Sequence, residues 1–400
     1  MGNVTVTKLS ALNGDFLLQQ GQSILRFKRP LWLLLFVSLF FLSACATGTT
    51  GTWPGLSAAG NRVYVAYNDR VTAVDVDARN ELWSYNGENG GVQFFAPPSI
   101  EDGRLVIGDF GTSGGFFSTG LTVSVYALEE AGSGTNTLWV SNSAISGRVF
   151  AEPLQVDDYV IVGTSDNQVV ALDIDSGEMI WEFATGNSIW SQPAYNDGKI
   201  YVTSVDRRVY ALDLETGDIL WEAQLTGANG GSPVVGDQFI YVGSFDGKLH
   251  AYDFDGNEAS TATADDWIWG APTYTEASVY YTDLAGNVYA ISSTEGTTQW
   301  EQSVEGSIQS SPVVHDDTVY IVSGDSGQEE ISQGHVTALS ASDGSIIWTQ
   351  TVDAPVNATP VVVGDTLVVV IIEPEAQLPE IVQLDLEDGN VIWSEILNQE

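Results

Sequence analysis

The stretch from Ala171 to Trp181, ALDIDSGEMIW, recurs forty residues later as ALDLETGDILW between Ala211 and Trp221. The same longer unit surrounds each copy: a strand led by proline, a tight Asp/Gly turn, an apolar strand of the type IYV, a second turn, and this hairpin. Sequence units that repeat about every 40 residues are typical of solenoids and propellers. The number of repeats therefore predicts the number of structural units.

Eight such units follow one another. Their opening prolines are Pro54, Pro98, Pro153, Pro193, Pro233, Pro272, Pro312 and Pro360. Their third strands close at Asp75, Glu129, Asp173, Asp213, Asp253, Ser292, Ser340 and Asp385. The pattern predicts an all-β fold, a single eight-bladed β-propeller of four-stranded antiparallel blades. Each blade is contiguous in sequence, so we expect blade eight to close the ring by packing against blade one.

The repeated hairpin has a physical logic. The short polar residue that closes the third strand can hydrogen-bond the backbone two residues later and so start the turn. A glycine four residues later, as at Gly177 and Gly217, tolerates the positive φ that hairpin turns need. Eight residues after the turn opener come Trp83, Trp181, Trp221, Trp300, Trp348 and Trp393, with Trp139 in a stretched unit and Thr261 in the fifth. A large ring repeated at one strand position predicts face-to-face packing of neighbouring sheets.

The pattern A-x-D-x-x-T-G-x-x-x-W resembles the tryptophan-docking repeat of the PQQ-like (quinoprotein-like) β-propellers. The resemblance covers about Trp53 to Leu397. The same repeats occur in quinoprotein dehydrogenases and in the propeller lipoprotein of the bacterial outer-membrane barrel-assembly machinery. The resemblance therefore implies the fold and leaves these classes of function open.

Residues 1–45 are predicted to be a lipoprotein signal peptide. Basic residues, among them Arg26, precede the apolar run Leu31 to Leu42, which has the length of a signal core rather than of a membrane span. The run ends in Leu-Ser-Ala-Cys at Cys45, which resembles the bacterial lipobox, whose cysteine is lipidated. An uncleaved anchor helix is the alternative.

The rest of the chain divides simply. Residues 46–52 are predicted to be a flexible tether, and residues 53–400 form the propeller. Cys45 is the single cysteine, so the propeller has no disulfide and no cysteine-based metal site. A lipid at the end of a short tether would hold the propeller at a membrane without spanning it.

The charge is strongly acidic. The whole chain has 13 basic and 53 acidic residues, for a net charge of −40. Without residues 1–45, nine basic and 52 acidic residues remain, for −43. This balance argues against binding to nucleic acid and against adsorption on anionic lipid.

Loops of an up-and-down blade alternate between two faces. The Asp/Gly-rich turns fall on one face and are interpreted as structural, although strings such as Asp173-Ile-Asp175 also suggest calcium; calcium hands need ligands spread over twelve residues. The other face carries three enlarged loops, Gly108 to Leu121, Ser323 to Gly334 and Glu373 to Glu380. Enlarged loops on a rigid scaffold are where function usually lies.

The candidate interaction rim lies on that second face. Three residues before an opening proline stand four aromatic residues, and basic residues gather nearby: Phe95, Phe150, Trp190, Trp269, Arg148, Arg207, Arg208 and Lys248. Aromatic residues with arginine neighbours are typical of binding hot spots. Two alternatives remain open: the rings could merely plug the inner ends of the blades, and the basic residues could be a solvated face.

No catalytic constellation is recognisable. The three histidines lie on different elements, without the spacing of a metal site, and no phosphate loop or nucleophile elbow occurs. We expect no catalytic residues, cofactor or metal. Quinoprotein dehydrogenases typically carry an adjacent-cysteine disulfide and calcium ligands, and this chain has neither pattern.

We therefore expect a monomeric, non-enzymatic module for protein interaction or scaffolding, lipid-anchored on the extracytoplasmic side of the outer or cell membrane. It would bind a protein partner with the face of the blade-to-blade loops, and envelope protein assembly is one setting. The alternative is a small-molecule role, as a quinoprotein-like dehydrogenase or a sugar-binding propeller. A purely structural role is the third possibility.

Replacing Cys45 with serine tests the anchor. The serine variant has no thiol to accept the lipid, so we expect it to leave the membrane fraction, as a soluble or an unprocessed form. Fractionation with immunoblotting measures this. An unchanged distribution would contradict lipidation.

Overall fold

The computed structural model describes residues 54–87, 91–113, 121–324 and 333–397. They form eight four-stranded antiparallel sheets and one small two-stranded ribbon. Each four-stranded sheet is one sequence repeat, and its strands lie side by side in chain order. The predicted eight-bladed all-β propeller is confirmed.

The strands of the first four blades are as follows. Blade 1 holds β1 (Gly55–Ala59), β2 (Arg62–Tyr67), β3 (Arg70–Asp75) and β4 (Asn80–Tyr85). Blade 2 holds β5 (Ser99–Glu101), β6 (Arg104–Gly108), β9 (Val125–Ala131) and β10 (Gly134–Ser141), and the ribbon holds β7 (Thr112–Ser113) and β8 (Leu121–Thr122). Blade 3 holds β11 (Leu154–Val156), β12 (Tyr159–Gly163), β13 (Gln168–Asp173) and β14 (Met179–Ala184). Blade 4 holds β15 (Ala194–Asn196), β16 (Lys199–Ser204), β17 (Arg208–Asp213) and β18 (Ile219–Gln224).

The second half repeats the arrangement. Blade 5 holds β19 (Val234–Val235), β20 (Ile240–Ser244), β21 (Lys248–Tyr252) and β22 (Glu258–Thr263). Blade 6 holds β23 (Thr273–Tyr274), β24 (Ser278–Thr282), β25 (Asn287–Ser292) and β26 (Thr298–Ser303). Blade 7 holds β27 (Val313–His315), β28 (Thr318–Gly324), β29 (Gly334–Ser340) and β30 (Ile346–Val352). Blade 8 holds β31 (Val361–Val363), β32 (Thr366–Ile372), β33 (Pro379–Asp385) and β34 (Val391–Ile396).

The first strands form the inside of the ring, because neighbouring first strands contact each other, for example β1 with β5 and β5 with β11. The turns between first and second strands and between third and fourth strands lie on one face, here called the turn face. The loops between second and third strands and the links between blades lie on the other, here called the connection face. Backbone bonds join links to loops there, as from the Ile189 amide to the Thr164 carbonyl.

The core is divided among the blade interfaces. The buried residues form eight apolar clusters, one between each pair of neighbouring blades. One cluster joins Val65 of blade 1 to Val368 of blade 8, and β1 contacts β31. The ring therefore closes by packing of whole blades, as the sequence predicts, and every strand of a blade comes from one repeat.

The repeated tryptophan docks each blade onto the next. The Trp181 indole is 8% exposed and donates from Nε1 to the Leu214 carbonyl at 2.8 Å. A Cβ placed on Gly217 would lie 2.6 Å from Cε3 of the same indole. Four further tryptophans, in blades 2, 4, 6 and 7, repeat both contacts with the following blade. Glycine thus serves two needs at once, a positive φ and room for the ring.

At two interfaces between blades, a different hydrogen bond replaces this contact. Trp83 donates instead to the Glu130 carboxylate at 3.0 Å. In blade 5 the shorter turn shifts the register, so the residue opposite Ala251 is Ser260 and not Thr261; the predicted equivalence of Thr261 was wrong by one residue. There the Tyr241 hydroxyl donates to the Ser293 carbonyl at 2.8 Å, which is the carbonyl position that a tryptophan uses elsewhere.

The aspartates on the turn face organise their own turns. One carboxylate oxygen of Asp173 accepts from the Asp175 and Ser176 amides and from the Ser176 hydroxyl. These bonds, chiefly those from Ser176, lower the pKa of Asp173 below its usual value. The arrangement recurs at Asp213. These contacts give the aspartates the structural role that the sequence analysis assigned to them.

Two of the three enlarged loops lie partly outside the described residues. In blade 2 the described part adds the β7–β8 ribbon, with Thr112 paired to Thr122. The third loop, Glu373 to Glu380, is a closed turn, since the Glu373 amide donates to the Leu378 carbonyl and the last two residues, Pro379 and Glu380, already belong to β33. Blade 8 therefore has a lengthened hairpin in place of an open loop.

Residues 1–53 lie outside the described residues, and with them the predicted signal peptide, the Cys45 lipidation site, the tether 46–52 and the first residue of the predicted propeller domain 53–400. Throughout the described ranges, the chain contains no helix with the length and apolar character needed to cross a membrane.

Comparing Gly217→Ala with Gly198→Ala tests the docking contact. Both glycines have a positive φ, 72° and 74°, so alanine is strained equally at both. At Gly198 the new methyl would meet nothing within 4 Å, whereas at Gly217 it would collide with Trp181. We expect Gly217→Ala to lower the free energy of unfolding by about 1–3 kcal/mol more than Gly198→Ala does, as overpacking usually does. Urea denaturation measures the difference, and equal losses would contradict the docking role.

Candidate functional site

An arc of aromatic rings lies where the links between blades enter the inner strands. Phe95 packs edge to face on Phe110, and Phe110 packs the same way on Phe150, with 5.2 Å between ring centroids in each pair. Phe150 in turn meets Trp190 at 6.3 Å. All four side chains are half-buried. Three of these four residues belong to the predicted rim, so the structure does bring them together.

The arc continues through blades 5 and 6. Phe245 stacks nearly parallel between Trp267, at 5.3 Å, and Trp269, at 5.1 Å. Gly230 fills the gap between the two parts, since a Cβ placed there would lie 3.5 Å from Trp190 and 3.0 Å from Phe245. Seven half-buried residues thus form an aromatic arc: Phe95, Phe110, Phe150, Trp190, Phe245, Trp267 and Trp269.

Three members of the arc were missed from the sequence. Phe110 and Phe245 occupy the same repeat position, two residues after the last glycine of a second strand, at Gly108 and Gly243. A comparison of the repeats at that position would have found them. Trp267 lies in the link that carries Trp269, and only its stack on Phe245 identifies it.

Buried carboxylates hold the loops that carry the arc. Asp109 is 1% exposed and accepts from the Gly111 and Ser124 amides and from the Tyr126 hydroxyl. Burial raises the pKa of Asp109, although these bonds oppose the shift. The neighbouring Phe110 is thus fixed by a satisfied polar cluster. Its position is set before any partner arrives.

The predicted basic residues separate into two groups. Arg148 joins the arc, with its guanidinium 4.7 Å from the Phe110 ring centroid and its Nε donating to the Phe110 carbonyl. Arg208 faces the outer strand of blade 4, 3.9 Å from Glu222. Lys248 begins β21 and pairs with outer-strand Thr263, and Arg207 is exposed at a loop tip with positive φ. The structure therefore places one of the four against the aromatic arc.

A polar belt lies two residues further along the chain, immediately before the opening prolines. The Gln192 amide donates to the Ser232 hydroxyl at 2.9 Å, and the Ser311 amide donates to the Thr359 hydroxyl at 3.1 Å. These bonds join neighbouring inner strands across the blade boundaries. Glu152 occupies the same position in blade 3 and accepts a hydrogen bond from the Gln192 side chain.

Glu152 is the residue of this belt with unusual electrostatics. Its side chain is half-buried, and burial raises its pKa to about 7, against a small opposing effect of the Gln192 bond. A carboxylic acid with a pKa near neutrality exchanges its proton in the physiological range. Glu152 does not stand out in the sequence, because carboxylates are abundant in this chain and this one is next to an ordinary repeat proline.

Among the described residues, no group of three or more His, Cys, Asp and Glu side chains is arranged to hold a metal ion. The features that the geometry offers are the aromatic arc, one basic group against it, and the half-buried acid Glu152. Such a combination is typical of recognition surfaces, in which apolar rings supply contact area and charged groups supply orientation.

The family model described as outer membrane protein assembly factor BamB matches residues 122–253, 226–329 and 284–400. These matches span more than half of the chain, and the protein belongs to that family. The crystal structure of BamB from Moraxella catarrhalis matches with a TM-score of 0.62 and 21% identity, covering 78% of this chain and 92% of that one. The computationally designed Ika8 protein matches with a TM-score of 0.64 and 15% identity, covering 80% and 93%. These two likenesses show the fold. A search of curated protein sequences finds no match.

Replacing Glu152 with glutamine tests its burial. Between the usual glutamate pKa of 4.5 and the raised value of about 7, the unfolded chain has lost a proton that the folded chain keeps. Stability therefore falls as the pH rises through this interval. We expect the free energy of unfolding at pH 8.5 to be about 1–3 kcal/mol higher for Glu152→Gln than for the wild type, and this difference to shrink towards pH 5. Urea denaturation at the two pH values measures it.

The matched control is Glu178→Gln, which removes an exposed carboxylate on the turn face. Its stability should follow the wild type at both pH values. A Glu152→Gln gain that is the same at pH 5 and pH 8.5 would show that the carboxylate is not held in its acid form by burial.

Proposed function

We propose that this protein is a non-enzymatic, lipid-anchored propeller that binds partner proteins during the assembly of envelope proteins, outside the cytoplasmic membrane. The observation that supports this best is the half-exposed aromatic arc on the connection face of a BamB-family propeller. Contiguous exposed apolar surface on a folded domain marks an interaction site. The family's description as an assembly factor makes a protein the partner that we favour.

The arc is suited to binding because it is already ordered. Its rings lock one another by edge-to-face and stacked contacts, and Asp109 fixes the loop that carries Phe110. Rigid aromatic side chains lose little conformational entropy on binding, so more of the contact energy appears as affinity. Arg148 adds a cation beside Phe110, and arginine and aromatic residues dominate binding hot spots.

The anchor and the charge fit an envelope location. A lipid on Cys45 with the tether 46–52 would hold the propeller near the membrane, while the net charge of −43 beyond the signal peptide keeps its surface off anionic lipid and nucleic acid. We propose that the protein acts as a monomer. Membership of an assembly-factor family favours this function over the small-molecule alternative, either a quinoprotein-like dehydrogenase or a sugar-binding propeller.

The double variant Phe150→Ala with Trp190→Ala tests the arc. In cells that lack the wild-type gene, we expect it to fail to restore the normal amounts of outer-membrane β-barrel proteins, measured by quantitative mass spectrometry of outer membranes. Affinity for a captured partner should fall about tenfold to a hundredfold, in the range of aromatic hot spots.

The control removes exposed apolar residues elsewhere. Ile346 and Ile347 on the outer strand of blade 7 are 50% and 52% exposed, so Ile346→Ala with Ile347→Ala deletes comparable surface away from the arc. Urea denaturation of both double variants shows whether either is simply unfolded. Full restoration by the arc variant, or equal failure of a folded control, would contradict the proposal.

A further inference from the structure

One carboxylate interrupts the neutral polar belt at the inner strands. At the position of Glu152, immediately before the opening proline, the other seven units have uncharged residues: Trp53, Pro97, Gln192, Ser232, Ala271, Ser311 and Thr359. Neutral hydroxyls make the bonds between blades at that position, as Ser232 does for the Gln192 amide. The scaffold therefore does not need a charge there. Burying a carboxylate is unfavourable unless something compensates it.

The described part of the chain supplies only partial compensation. Gln192 donates one hydrogen bond to Glu152, whereas an ionised carboxylate has room for about four. Burial raises its pKa and this bond opposes the rise, and among the described residues no charged side chain contributes to the shift. Arg148, four residues earlier, directs its guanidinium to the Phe110 ring and carbonyl. Glu152 thus retains unused capacity to accept from a cation.

Each partner of the Glu152–Gln192 bond follows an aromatic residue on its own link. Phe150 and Trp190 precede Glu152 and Gln192 by two residues on adjoining links, and their ring centroids are 6.3 Å apart. Ammonium and guanidinium groups are attracted to the faces of such rings. The contact of Arg148 with Phe110 shows that this surface already holds one guanidinium in that way.

We propose that Glu152, Phe150 and Trp190 form a receptor for one ammonium or guanidinium group, presented by a lysine or arginine side chain of the partner protein. The inference rests on the proposed function and adds to it the chemistry of the partner: a basic side chain enters the aromatic arc and pairs with Glu152. The acidic propeller as a whole attracts basic segments, and the receptor would bind one basic side chain of such a segment at a defined position.

Two acetylated tripeptide amides, Ala-Lys-Ala and Ala-norleucine-Ala, serve as probes of the full-length protein by calorimetric titration in 150 mM salt at pH 8. We expect millimolar binding of the lysine peptide and about tenfold weaker binding of the norleucine peptide, because only lysine offers a charge. Glu152→Gln should weaken the lysine peptide about tenfold and leave the norleucine peptide unchanged. Glu178→Gln on the turn face should change neither.

The pH dependence provides a second readout. Lysine-peptide affinity should rise from pH 6 to pH 8 as Glu152 ionises, and this rise should disappear in Glu152→Gln, because the pKa of Glu152 is about 7. Among the described residues no charged group contributes to the pKa of Glu152, and Gln192, Phe150 and Trp190 do not titrate in that range.

Three outcomes would overturn the receptor. They are equal binding of the two peptides, no lysine binding at 10 mM peptide, or equal weakening by Glu152→Gln and Glu178→Gln, which would mean general attraction to an acidic protein. If Phe150→Ala with Trp190→Ala still abolishes partner capture in any of these cases, the proposed function stands and only the cationic chemistry is wrong.

Discussion

The seating of one indole on one glycine of the next blade is the contact on which the ring depends. It combines burial of a large ring, a hydrogen bond from Nε1, and a close approach that any Cβ would prevent, as Trp181 shows on Gly217. Repeated around the ring, it fixes the angle between blades. In blade 5, where the tryptophan is missing, the Tyr241 hydroxyl donates the hydrogen bond in its place. Between blades 1 and 2, where the turn differs, the Glu130 carboxylate accepts the hydrogen bond of Trp83 in place of a backbone carbonyl.

Because the turn face and the blade interfaces hold the ring, the connection face is free to vary. Its aromatic arc arises from departures from the repeat: Phe110 and Phe245 stand where other blades have small or aliphatic residues, such as Val205. Asp109 is buried beside the arc but has a structural role, since its carboxylate accepts hydrogen bonds from the Gly111 and Ser124 amides of its own loop. The repeated turns thus lie on one face of the ring, and the residues that vary between blades lie on the other.

The fold could be predicted because spacing alone defines it: prolines, turn residues and tryptophans recur in step. The site could be predicted only in part. Phe95, Phe150 and Trp190 share a repeat position, but Phe110 reaches them from a different loop, and only the ring geometry brings it there. Arg208 is predicted from the sequence to lie on the rim, yet in the structure its side chain faces Glu222. A one-residue shorter turn was enough to misplace the fifth docking position.

The direction of the docking contact also relates the ring to the order in which the chain is made. Trp139, Trp181, Trp221, Trp300 and Trp348 each use a glycine and a carbonyl that are synthesised after them. In chain order, each of these five indoles therefore gains its partner only from the blade that follows it. Trp393 is the exception, since it packs in the cluster shared with blade 1, which is the oldest part of the ring. The seam between the last and first blades is consequently the one interface of the described ring that needs both of its ends, and it cannot form before blade 8 is present.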